Sequence, residues 1–129
     1  MGSEPRQFSR SSRIRSFGHA FRGIYIVLKT QPNAKIHLVA TVLVCALGAW
    51  LHISRDEWCW LCAAVTSVWV AESLNTAVEF VVDLVSPEYH PLAGKAKDVA
   101  AGAVLICAIG AAVIGILIFG MRLLAVFHH

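Results

Sequence analysis

The chain begins polar, turns apolar, and is then broken by short polar segments. Residues 1–13 are rich in Arg and Ser and predict a disordered basic tail. Over residues 14–30, Phe17, Phe21, Ile24 and Leu28 recur at helical spacing, with Arg15, Arg22 and Lys29 on another face. That pattern predicts an amphipathic helix able to lie at a membrane surface. Pro32 and Asn33 then mark a break. Three apolar stretches follow, at about 36–53, 58–85 and 99–120, separated by the polar segment Ser54–Glu57 and by a loop over 86–98. A membrane-crossing helix needs about 20 apolar residues, so each stretch predicts a span. The fold class expected is an all-α membrane protein, a surface helix followed by three transmembrane helices in one domain over 14–129. Trp50, Trp58 and Trp60 cluster where the first two spans would reach the interface, as an aromatic belt does.

Composition strengthens this reading. Hydrophobic residues make up 57% of the 129 and charged residues 15%, against about a quarter charged in soluble domains. Mean hydropathy is +0.67. The N-terminal stretch has no apolar h-region, so no signal peptide is expected. Seven of the eleven Lys and Arg residues lie at or before Lys35, with Glu4 the only acid among them. So basic a leader suits an anionic membrane face; in so apolar a chain, no nucleic-acid partner is expected. The N-terminal segment and the 86–98 loop fall on one side of a three-span topology and carry nine basic residues. The positive-inside rule puts that side, N-terminus included, in the cytoplasm. Cys59 and Cys62 form a C-x-x-C, but their neighbours are Trp58, Trp60 and Leu61 and no second Cys pair accompanies them. With Cys45 and Cys107 they read as small apolar wall residues. His128 and His129 are assigned no role.

The second span carries what a passive anchor avoids. At about 100° per residue, Glu79 and Asp83 fall within about 20° of Glu72, and Asn75 lies about 60° away. The four form one stripe about 16 Å long. Each charge in a bilayer costs at least about 2.5 kcal/mol, so the stripe must face protein, a cation or water. It predicts either proton or ion sites or a metal-assisted acid–base site; packing alone would need only one polar residue. The loop after it adds Glu88, His90, Lys95, Lys97 and Asp98. Lysines beside a helix N-terminus suit phosphate oxygens, although flanking lysines are also ordinary for a positive-inside loop. No G-x-x-x-x-G-K-[ST] loop or protein-kinase signature is present. The third span is rich in Ala and Gly, which favour close helix approach. Three spans alone enclose a polar stripe poorly, so a homo-oligomer is expected. A small proton-coupled transporter or channel subunit, using Glu72 and Glu79, is the main rival. It leaves Lys97 and Asp98 without a role. A non-catalytic membrane subunit packing by its small residues is a second.

The run ESLNTAVEFVVD at 72–83 resembles the signature of the prokaryotic diacylglycerol kinase family, and the stretch from Glu88-Tyr89-His90 to Lys97-Asp98-Val99-Ala100-Ala101-Gly102-Ala103-Val104 resembles its second conserved block. The likeness covers about positions 17–120. It implies a homotrimer of three-span chains in a bacterial inner membrane, each with a surface helix, that transfers the γ-phosphate of Mg-ATP to a lipid hydroxyl at the cytoplasmic interface. The motif positions make Glu72 the base and, with Asn75, a substrate-binding residue. Glu79 becomes the metal ligand. Glu79, Asp83, Glu88, His90, Lys97 and Asp98 fall at the nucleotide. Where the family often has a glutamate after the surface helix, this chain has Gln31. Its amide carbonyl can join the metal and nucleotide site but brings no charge. Family members act on diacylglycerol or undecaprenol. Lys35-Ile36-His37-Leu38 and Ser86-Pro87-Glu88-Tyr89-His90-Pro91-Leu92 are more similar to the undecaprenol kinase branch.

Overall fold

In the computed structural model, which describes residues 10–128, the chain forms four helices: α1 (Arg10–Thr30), α2 (Pro32–Trp50), α3 (Arg55–Val85) and α4 (Pro91–Phe127). The helix expected from residue 14 starts at Arg10, so residues 10–13, expected in the polar tail, are helical. Residues 1–9 and His129 lie outside the described residues. The last three helices are long and apolar enough to cross a membrane.

The joints follow from local chemistry. A residue before proline is pushed out of the α region, and Gln31 accordingly sits at φ −104°, ψ 117°, with Pro32 at the first turn of α2. One residue therefore makes the whole corner between α1 and α2. Between α2 and α3, His52 adopts φ 50°, and Ser54 opens α3 with a capping box. Ser54 Oγ accepts from the Glu57 N–H at 3.2 Å, and Glu57 Oε2 accepts from the Ser54 N–H at 2.7 Å. Arg122 donates to the same carboxylate at 2.6 Å, tying the far end of α4 to the start of α3.

The third span starts earlier than the hydropathy predicts. α4 begins at Pro91, with His90 Nδ1 accepting from the Leu92 N–H at 3.1 Å as its cap. Proline at the first position and the helix formers Leu92, Ala93 and Ala96 favour helix there. Lys95, Lys97 and Asp98, expected in a loop, are thus helical, and the connection shrinks to 86–90. At 37 residues, α4 is about 55 Å long, more than the about 30 Å hydrocarbon core.

α3 and α4 pack as an antiparallel hairpin along their length, whereas α1 and α2 meet α3 only locally. The tightest apolar packing, Ile53, Leu61, Ile118 and Phe119, lies at the end remote from the acidic stripe. Trp58 packs against this cluster, while Trp50 and Trp60 are exposed. Gly48 allows that: a Cβ there would stand 3.0 Å from both Ile53 Cδ1 and Trp58 Cη2. Replacing Gly48 with Leu forces overpacking, which costs about 1–3 kcal/mol. Thermal unfolding in detergent should show a clear drop in Tm for Gly48→Leu. Gly18→Ala, where nothing lies within 4 Å of the added Cβ, should leave Tm unchanged or slightly raised.

Candidate active site

The buried polar residues of the described chain, Glu72, Asn75 and Thr76, are consecutive members of one face of α3. Thr76 is satisfied locally, its hydroxyl donating to the Glu72 carbonyl at 2.8 Å. Glu72 is not. It is 1% exposed, and neither carboxylate oxygen has a hydrogen-bond partner. Asn75 Oδ1 is likewise without one. Native interiors leave few such groups unpaired, and a carboxylate is among the costliest. Both face a cavity of about 250 Å³ walled by Asn33, Ile36 and His37 of α2 and by Ala101, Val104, Leu105 and Ala108 of α4.

One helical turn or two towards the 86–90 turn, Glu79 is gripped by amides. Gln31 Nε2 donates to Oε2 at 3.2 Å, and Asn75 Nδ2 donates to Oε1 at 3.1 Å. The extended backbone that Pro32 imposes on Gln31 is what brings its side chain, 48 residues away in sequence, onto α3. Further along, Lys97 donates to Asp83 at 2.6 Å across the hairpin, on an exposed surface. Glu88 and Asp98 are exposed near the same end, as is His90, whose Nδ1 is engaged in capping α4. The chain thus gathers Gln31, Asn75 and Glu79 into one network, puts Glu72 in a cavity beneath it, and sets Asp83 and Lys97 above. No direct contact joins Glu88, His90 or Asp98 to that network.

A second cavity of about 260 Å³ continues from the first. It shares His37 and Ala108 and is otherwise walled by apolar or small residues, among them Val44, Val65, Val68, Ala112 and Gly115, with Thr41 the only other polar one. The result is an acid and an amide oxygen at one end of an apolar slot between α2, α3 and α4.

The model of the prokaryotic diacylglycerol kinase family matches residues 18–119. The chain is 41% identical to the undecaprenol kinase of Bacillus subtilis strain 168 over 106 residues, 82% of this chain and 86% of that protein. It is 43% identical over 101 residues to the diacylglycerol kinase of Synechocystis sp., covering 78% of this chain and 58% of that longer protein. With the diacylglycerol kinase of Escherichia coli strain K12, identity is 33% over 100 residues, 78% of this chain and 82% of the relative.

The chain belongs to the prokaryotic diacylglycerol kinase family. It is a membrane-embedded lipid kinase, with ATP as co-substrate. These relatives are kinases by name, and the transporter reading has no support among them.

In a member of this family the donor set around Glu79 can be tested against a magnesium ion. Among the described residues no group of three His, Cys, Asp or Glu side chains is placed to hold a metal. Magnesium, however, is commonly held through one or two carboxylates plus substrate phosphates. One carboxylate with amide neighbours fits an ion that arrives on a nucleotide, and does not fit a resident caged ion. The four cysteines are free, and three of them are exposed.

Two wall residues, Asn33 and His37, lie beyond what the pattern of α3 can indicate, because they come from another helix. His37 leaves one signal: it is the only imidazole or charged side chain between Ile36 and Leu51 of a family lipid kinase. Gln31 yields a direct prediction. Gln31→Glu would put two carboxylates about a hydrogen bond apart, and like charges so placed repel unless a cation joins them. Its Tm in detergent should fall by several degrees in EDTA and recover on adding Mg²⁺, whereas the wild-type Tm should change little between the two conditions.

Proposed function

We propose that this kinase transfers the γ-phosphate of Mg-ATP to the hydroxyl of a membrane lipid alcohol at the cytoplasmic face of the bacterial inner membrane, with undecaprenol preferred over diacylglycerol. One observation carries this reading: the buried Glu72 carboxylate, without a hydrogen-bond donor, at one end of an apolar slot. A lipid hydroxyl supplies the missing donor, and its hydrocarbon takes the apolar walls. The preference for undecaprenol is supported by the kinship to the Bacillus subtilis protein of that name.

The lipid enters sideways from the bilayer. Glu72 accepts the hydroxyl proton as the oxygen attacks the γ-phosphorus. Asn75 binds the same hydroxyl through Oδ1 while its Nδ2 holds Glu79, so the amide relates the lipid to the nucleotide. Glu79, with the carbonyl of Gln31, would hold magnesium, which when bound offsets charge on the transferring phosphoryl group. Lys97 is released from Asp83 to a phosphate oxygen, and Glu88, His90 and Asp98 line the exposed rim where the rest of the nucleotide lies. Phosphoryl transfer of this kind relies on positioning and electrostatics, and the stripe supplies both along about 16 Å of one helix.

The proposed assembly is a homotrimer. Large apolar side chains such as Ile36, Val39 and Leu43 on α2 and Ile106, Val113 and Ile116 on α4 are exposed. At Gly102 and Gly110 a methyl group would meet nothing within 4 Å, which leaves room for close helix approach.

The reading is tested with labelled γ-phosphate in detergent micelles, offering undecaprenol and diacylglycerol in parallel. Label should appear chiefly in undecaprenol. Glu72→Gln should keep the oligomer and lose more than about 10² in kcat; turnover like that of the wild type would remove Glu72 from its assigned role.

A further inference from the structure

A base buried as deeply as Glu72 has to be emptied before it can act again. Having taken the lipid proton, it is a neutral carboxyl, 1% exposed, with no hydrogen-bond partner among the protein's own groups. The nearest ionisable group is on another helix: His37 Nε2 stands 3.6 Å from Glu72 Oε2. That is longer than a hydrogen bond, and catalytic contacts in substrate-free enzymes are often long and tighten in the complex. The His37 side chain is 19% exposed, so it reaches both the buried acid and the outside. Of the residues lining this cavity, only His37 and Glu72 ionise.

The imidazole is also held in place. It meets Trp69 edge-on, with ring centroids 6.5 Å apart at 71°. Trp69 Nε1 donates to Thr41 Oγ1 at 3.0 Å, and the Thr41 hydroxyl donates to the His37 carbonyl at 2.7 Å. An indole on α3 is thus pinned to α2 one turn from His37, which fixes the plane of the ring opposite Glu72. Such an arrangement exceeds what packing a small apolar wall requires.

We infer that His37 is a positioning residue for turnover: it takes the proton from Glu72 after each phosphoryl transfer and hands it to water. The inference rests on the reading of Glu72 as the base. The lipid O–H bond breaks as the O–P bond forms, and the bond from the γ-phosphorus to the ADP oxygen breaks, its electron pair leaving with ADP. The proton goes to the Glu72 carboxylate, then to His37 Nε2, producing an imidazolium beside a carboxylate. The exposed edge of the ring releases it to water.

The test separates the first turnover from later ones. The full-length oligomer in micelles, with undecaprenol loaded, is mixed rapidly with labelled Mg-ATP and quenched over time. His37→Gln, which keeps a hydrogen-bond donor but cannot take up a further proton, and His37→Ala are compared with the wild type and Glu72→Gln. Both His37 variants should deliver one phosphate per site at the wild-type rate and then turn over about 10²-fold more slowly. Added imidazole should speed only the slow phase of His37→Ala. A first turnover slowed as much as the later ones would assign His37 to packing or to orienting the acid, and would overturn the relay. Unchanged steady-state turnover in both variants, with Glu72→Gln inert, would overturn the relay alone. Wild-type turnover by Glu72→Gln would instead bring down the base on which it rests.

Discussion

Charge is costly in hydrocarbon, and α3 carries three carboxylates and an amide down one face. How each is accommodated accounts for much of the arrangement around it. Asp83 is met by Lys97 across the hairpin. Glu79 is met by two amides, one from its own helix and one from the corner before α2. Glu72 alone is met by nothing within hydrogen-bond distance. The gradient runs from an exposed ion pair, through a neutral embrace, to a bare buried acid.

The remaining elements serve that helix. α4 lines the slot with Ala101, Ala108, Ala112 and Gly115, residues small enough to leave space beside a long polar stripe. α2 adds Asn33 and His37 and closes the other wall. Far from the chemistry, Gly48, Trp58 and the capping box of Ser54 with Glu57 clamp the bundle. The well-packed end is therefore not the end that holds the buried acid.

Much of this is legible in the chain. Helical spacing alone aligns Glu72, Asn75, Glu79 and Asp83, since a helix of known pitch converts sequence distance into angle. Hydropathy locates the spans but misjudges the start of α4, because Lys95, Lys97 and Asp98 lower the average without breaking a helix. Position along the chain likewise does not tell which way a ring turns: Trp58 packs inward, where Gly48 leaves room for it. Contacts between helices leave no trace in any periodicity. His37 opposite Glu72 and Gln31 on Glu79 depend on how α2 leans against α3, which no single helix encodes.

The corner at Gln31 has a consequence of its own. Most joints between helices tolerate added length, since lengthening a flexible loop raises its closure entropy only slowly. Here the joint is one residue, and that residue's side chain also reaches Glu79 across 3.2 Å. One inserted residue shifts the chain by about 3.5 Å, more than the contact can absorb. The count of residues at this bend is thus as much a part of the network as their chemistry, and α1 is geared to Glu79 without slack.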